Sequence, residues 1–293
     1  MTNDIVLETQ NFGYTYGDFS AVRDLSIQVR RGELYALLGT NGAGKTTTLE
    51  TLEGHRKPTA GKVAVFGGDP TDRKDIRPRM GIMLQESGFA ADLNVRESIL
   101  LAGAISGRQD DVDRVLAAVD LVDKATTRVG QLSGGQKRRL DFAMAIWGTP
   151  ELLFLDEPTT GLDPSARDGL WDVVAGLRRE GVTVILTTHY LEEAQKHADR
   201  IGLMHGGRLE REGTLAELVA GELSHISFVA PAGSELPLPV ASSVNGLTTI
   251  ETDDLQRDLY VLLGWADRGG HRLERLSATS SSLDDVFRSL ATH

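Results

Sequence analysis

Nine consecutive residues, Gly39-Thr40-Asn41-Gly42-Ala43-Gly44-Lys45-Thr46-Thr47, restrict what this chain can fold into more than any other stretch. They satisfy the phosphate-loop pattern G-x-x-x-x-G-K-[ST]. Such a loop needs glycine because backbone N–H groups must converge on phosphate oxygens, and a Cβ would obstruct both the turn and the approach. The loop works only between a buried strand and a helix whose N-terminal end faces the anion. Both are readable here: residues 33–38 have a strand pattern and 46–52 a helix pattern. Lys45 is placed to reach the β and γ phosphates of ATP, and Thr46 to ligate Mg2+.

A second strand supplies carboxylates. Leu152-Leu153-Phe154-Leu155 runs into Asp156 and Glu157, so the acids fall at the carboxyl edge of a parallel sheet, where ligands of open α/β folds bind. Asp156 suits the metal and Glu157 a general base that polarises water at the γ-phosphate. Alone, an acidic strand end is a common helix cap or solvated turn; beside a phosphate loop the functional reading is the stronger one. Third, Leu132-Ser133-Gly134-Gly135-Gln136 precedes an apolar-periodic helix pattern, with Ser133 as its start and two glycines leaving N–H groups open to an anion.

The remaining chain fills in an α/β plan. Residues 5–10 and 25–30 alternate as strands of a small N-terminal β layer, 61–66 and 80–84 read as further strands, and 182–187 is a buried strand followed by a helix. Between about 88 and 131 the period becomes helical, an all-helical insert. Near residue 222 the character shifts, with β-like pieces at 226–229, 248–252 and 259–263 and a last helix over 283–290 announced by Ser282 and Asp285.

Composition narrows the chemistry. Lys and Arg total 31 against 42 Asp and Glu, a formal charge of −11, so a general nucleic-acid coat is disfavoured and phosphate must be held by a local device. The absence of cysteine excludes disulfides, thiolate metal sites and Cys nucleophiles. No apolar run approaches the roughly 18 to 20 residues that cross a bilayer, and the first residues lack a signal-peptide pattern, so a cytoplasmic location is expected.

Phosphate loop, LSGGQ signature and acidic strand occur in this order, and with them the chain resembles the nucleotide-binding subunit of an ABC transporter. That resemblance implies an α/β P-loop NTPase fold with a parallel core sheet, an N-terminal antiparallel β layer and a helical subdomain over residues 1–221, then a small α+β accessory domain over 222–293. It places the 39–47 loop around ATP and Mg2+, with Tyr16 stacking on adenine, Gln85 sensing Mg2+ and the membrane partner, and His189 contacting the γ-phosphate. Asp163 in GLDP would cross to a second subunit, and Ser133, Gly134, Gly135 and Gln136 would cover the ATP of that subunit. Read singly, Tyr16 is a strand aromatic, Gln85 a strand end, Asp163 a helix cap and His189 a helix start. One departure is Thr40, where the family more often has proline; a backbone role there predicts little consequence.

The same resemblance implies a homodimer peripheral to the membrane, bound to a separate permease, with Phe89, Leu93 and Val95 as candidate contacts or else core residues. The ending Ser281-Ser282-Leu283-Asp284-Asp285-Val286-Phe287-Arg288-Ser289-Leu290 resembles ATPase subunits of ABC-2 type exporters of the daunorubicin-resistance kind. A soluble ABC ATPase acting on ribosomes or DNA is the competing class, disfavoured by a single signature and no sustained heptads; a regulatory nucleotide sensor is another.

Overall fold

The computed structural model describes residues 4–72, 74–85, 88–231 and 233–291. They form two compact units, Met1–Thr214 and Leu215–His293. The first contains strands β1 (Ile5–Tyr16), β2 (Phe19–Leu25), β3 (Gln28–Arg30) and β4 (Leu34–Gly39), helix α1 (Lys45–Leu52), strands β5 (Ala60–Val65) and β6 (Met80–Met83), and helices α2 (Val95–Ser106), α3 (Val112–Ala118) and α4 (Gly134–Ile146). It continues with β7 (Leu152–Asp156), α5 (Pro164–Arg179), β8 (Thr183–Thr187), α6 (Leu191–His197), β9 (Arg200–His205) and β10 (Arg208–Gly213). The second contains α7 (Leu215–Val219), β11 (Ser224–Val229), β12 (Ser242–Val244), β13 (Leu247–Thr252), α8 (Leu255–Gly269), β14 (Glu274–Thr279) and α9 (Leu283–Ala291).

Strand β1 pairs antiparallel with β2, β3 and β5, which makes the expected N-terminal layer. The core sheet has the order β10-β9-β4-β8-β7-β6, parallel except for β10. Its inner strands β7 and β8 are buried at every position, as Val/Ile/Leu runs covered on both faces must be. Because β8 lies between β4 and β7, three loops leave the same carboxyl edge side by side. Leu37 registers with Thr187, and Thr187 with Asp156. That adjacency, invisible in sequence, brings residues 39, 156 and 189 to one place.

Residues 88–131 form α2, α3 and two short 3-10 turns, with no strand, as the periodicity required. Asn94 and Glu97 close a capping box on α2, and Asp111 caps α3. Val95, the first residue of α2, is fully buried, so of the three residues offered as partner contacts it is a core residue.

The second unit is a four-stranded antiparallel sheet, β12-β13-β11-β14, whose core is Ile226, Phe228, Ile250 and Leu262. The break at Thr214/Leu215 precedes the composition shift near 222 because α7 packs on α9. The strand expected at 259–263 is instead the middle of α8. Five consecutive apolar residues, Leu259-Tyr260-Val261-Leu262-Leu263, carry no period of their own, but Leu255, Leu259, Leu262 and Ala266 recur at helical spacing, and Asp254 accepts the Arg257 N–H at 3.0 Å as N-cap. Tyr260 and Leu263 consequently point outward, 79% and 45% exposed. At α9 the backbone N–H and hydroxyl of Ser282 both donate to Asp285 at 2.9 Å, one arm of the anticipated box.

Candidate active site

Two glycines of the phosphate loop stand where a Cβ would strike backbone. A Cβ on Gly39 would sit 2.4 Å from the Met204 carbonyl oxygen, and one on Gly44, at φ +95°, would sit 2.5 Å from that of Ala21. Gly44 is also the N-cap of α1 and brings no side chain to its end, so the first-turn amides face the loop's interior without a side-chain cap. Lys45 Nζ donates to the carbonyls of Gly39 at 2.7 Å and Thr40 at 3.2 Å. Burial lowers the Lys45 pKa, and the charges of Glu157 and Asp156 oppose that shift. The Thr40 carbonyl accepts both Lys45 and the Ala43 N–H, a backbone role of the kind expected where proline is commoner.

Asp156 ends β7, buried, with Thr187 Oγ1 donating to its Oδ1. Burial pushes its pKa up and Glu157 adds to the rise, against the Thr187 bond and the charges of Arg138 and Lys45. The next residue, Glu157, has φ +51°, which turns the chain sharply off the strand. Its Oε2 accepts the His189 N–H at 3.1 Å and pairs with His189 Nδ1 at 2.5 Å. The carboxylate is mostly enclosed, 12% exposed, whereas the imidazole is 55% exposed. Glu157 is thus anchored from the loop that follows β8.

One cleft of about 300 Å3 gathers Tyr16, Asn41, Gly42, Ala43, Gly44, Lys45, Thr46, Thr47, Gln85, Asp156 and Glu157. Phe19 lines it as well, and no sequence pattern had singled it out; its position follows from the hairpin register, which sets Phe19 opposite Tyr16. The only hint was an aromatic three residues beyond Tyr16 across a Gly-Asp turn. Tyr16 donates to or accepts from Thr47 Oγ1 at 3.3 Å, packs on Tyr14 and carries the Arg56 guanidinium over its ring. Phe19 is the more open aromatic, 62% exposed. An adjoining cavity of about 320 Å3 is lined by Thr46, Gln85 and Asp156 together with Glu50 and Glu53.

The signature lies apart from this cleft. Ser133 caps α4: its Oγ accepts the Gln136 N–H at 3.3 Å, while Gln136 Oε1 accepts the Ser133 N–H at 2.9 Å. Since Ser133 uses an acceptor lone pair there, its O–H remains a donor. Nothing lies within 4 Å of where a Gly134 Cβ would stand, and the nearest atom to a Gly135 Cβ is the Gly161 carbonyl oxygen at 3.5 Å, which sets signature and GLDP loop side by side. Asp163 accepts the Ala166 N–H at 2.9 Å as N-cap of α5, with Pro164 following.

A family model described as ABC transporter matches residues 22–160, and one described as ABC transporter domain-containing protein-like, C-terminal domain, matches 224–282. The daunorubicin resistance ATP-binding protein DrrA3 of Streptomyces coeruleorubidus is 37% identical over 290 residues, 93% of this chain and 91% of that protein. The chain belongs to the ATP-binding subunits of ABC transporters. Within them it falls in the group serving ABC-2 type exporters, and it is an ATPase. The Nod factor export ATP-binding protein I of Burkholderia orbicola (strain AU 1054) is 40% identical over 223 residues, 74% of this chain and 73% of that one. Among solved structures of ABC subunits, an ATP-binding cassette in a dimeric post-hydrolysis state with ADP and Pi aligns with a TM-score of 0.65 and 25% identity, covering 71% of this chain and 98% of that chain.

Proposed function

We propose that two copies of this ATPase close face to face around two ATP molecules and drive export through a separate permease on the cytoplasmic face of the membrane. The observation that carries the reading is the split within one unit: the phosphate loop, Asp156 and Glu157 share a cleft that Ser133, Gly134, Gly135, Gln136 and Asp163 do not line. A second copy supplies them. The dimeric cassette among the solved relatives and the export and resistance proteins among the sequence relatives support the arrangement.

In this reading the loop amides and Lys45 hold the β and γ phosphates, and Tyr16 with Phe19 receives the base. Thr46, Gln85 and Asp156 bring oxygen donors to a single cavity beside the loop, a set that suits Mg2+, and the buried Asp156 carboxylate gains from a cation beside it. Bound there, the ion would neutralise charge on the phosphates. Glu157, held by the His189 backbone and ring, takes the proton of the attacking water, and His189 contacts the γ-phosphate. Ser133 Oγ and the Gly134 and Gly135 amides of the second copy donate to the same phosphate, an effect on the order of 3 kcal/mol per donor, or at least a hundredfold in rate.

No helix among the described residues is long and apolar enough to cross a membrane, so the transport path in this reading is another chain's. Its helix would seat in the groove of about 460 Å3 lined by Gln85, Phe89, Ala91, Val129 and Gly130. Glu157→Gln tests the whole. The variant should bind ATP with wild-type affinity, accumulate as an ATP-dependent dimer in size exclusion and lose about 10²–10⁴-fold in turnover. Unchanged turnover removes Glu157 as the base; a monomer at saturating ATP, alone and with its permease, removes the dimer.

A further inference from the structure

Arg138 belongs to none of the motifs above, yet its side chain is buried, and its guanidinium meets the catalytic loops at five main-chain oxygens. It donates to the carbonyls of Leu84 at 2.7 Å and Gln85 at 3.1 Å. It also donates to those of Asp156, of Glu157 at 2.6 Å and of Pro158 at 3.2 Å. The carbonyls of residues 156 and 157 belong to the two peptides that flank the Glu157 Cα; those of 84 and 85 flank the Gln85 Cα in the same way. Holding both peptides fixes φ and ψ between them, and thereby the direction in which the side chain leaves the backbone. Glu157 needs such a hold, because its φ of +51° lies in the left-handed region that a non-glycine residue rarely occupies unaided.

We infer that Arg138 is the positioning residue for both Glu157 and Gln85, and that it ties their loops to the helix that begins at the signature. Arg138 sits on α4, whose N-cap is Ser133, so a rigid helix joins the residues offered to a second copy's ATP to the turn that aims this copy's base. An ion pair with Asp141 at 3.4 Å balances the charge, but a charge partner alone would not demand five carbonyls. Only the planar fork of arginine, with five N–H donors, can serve them together; a lysine ammonium offers three donors from a single nitrogen. The inference rests on Glu157 being the base and on Gln85 bringing an oxygen donor to Mg2+ beside the phosphate loop.

Arg138→Lys is the test, in the full chain, with kcat, KM for ATP, equilibrium binding of Mg·ATP and the melting temperature of the nucleotide-free protein measured together. A mispositioned base predicts a kcat fall of about ten- to a hundredfold, with Mg·ATP affinity within about threefold of wild type and an almost unchanged melting temperature. Combined with Glu157→Gln, Arg138→Lys should still give the ATP-trapped dimer, because neither change touches the phosphate loop. A wild-type kcat overturns the inference. So does a kcat loss matched by equal losses of affinity and melting temperature, which marks a strut without a positioning role. If Arg138→Lys does not fold, Arg138→Gln replaces it, and failure of both to fold also overturns the inference. Glu157→Gln run in parallel separates the two ideas: if it hydrolyses ATP normally the base assignment falls, while the kcat-against-affinity split at Arg138 still decides whether the arginine sets the turn.

Discussion

The phosphate-loop half and the signature half of the first unit solve different problems with similar residues. In the loop, glycine is forced by crowding: Gly39 and Gly44 stand where a Cβ would strike backbone oxygens, and the helix end behind them has no side-chain cap. In the signature, Gly134 faces open space and the helix end is closed by a full capping box between Ser133 and Gln136. One half is complete as a cradle within the chain. The other is satisfied locally and presents a spare hydroxyl and bare amides outward. In the dimer proposed above neither half is a site by itself, and a Gly-Gly pair without internal crowding is there the surface approached from outside.

The sharpest way to break this contrast is complementation. Lys45→Ala and Ser133→Arg should each lower ATP turnover by about a hundredfold or more. An equimolar mixture should recover about a quarter of wild-type activity, because about half the dimers pair the two variants and each of those has one intact composite site of two. Recovery of nothing would mean that loop and signature act within one chain. A smaller effect is expected at the base platform. Phe19→Ala should raise KM for ATP about fivefold at unchanged kcat, the loss of about 1 kcal/mol of stacking; the same change with GTP as substrate shows whether the effect is on the base.

Stability offers finer tests. Burial raises the Asp156 pKa, so the folded chain binds that proton more tightly than the unfolded one. The resulting penalty is absent below the unfolded carboxylate pKa, grows as pH rises towards the raised folded value and is complete above it. Asp156→Asn keeps an oxygen for Thr187 and should raise the melting temperature of the nucleotide-free protein by about 2–4 °C at neutral pH while abolishing hydrolysis. No rise would mean that the carboxylate is not strained. The second unit should respond oppositely and least. Burial acts to raise Asp285, but the bonds from Ser282 and the His225 ring outweigh it and leave its pKa lowered. That stabilisation is present above the unfolded pKa and is lost as pH falls through the folded value, so the protection of the α9 amides, measured against the intrinsic exchange rate at each pH, should fall on acidification, and not in Asp285→Asn.

Much of the structure around the phosphate loop was legible because its pieces are local. A strand, a glycine-rich turn and a helix start are neighbours in sequence, and so are Leu155, Asp156 and Glu157. Residues that act through long-range contact were not. Arg138 stands between Lys137 and Arg139, and nothing in a run of three cations says which one is buried. Phe19 required the hairpin register, and α8 was hidden by an apolar stretch too short to show its period.

The sequence alone determined the chemistry of each piece: where backbone amides must be bare, which strand ends in carboxylates, which helix starts on a serine. Only the tertiary structure decided which pieces meet. Strand order placed β8 between β4 and β7, so that His189 reaches Glu157 beside the phosphate loop, and packing of α4 carried one arginine into the loops of both Gln85 and Glu157. Local propensity and sterics act over a few residues and can be read from them, whereas the sheet order and the burial of a cation depend on the free energy of the assembled core, to which residues far apart in the chain contribute together.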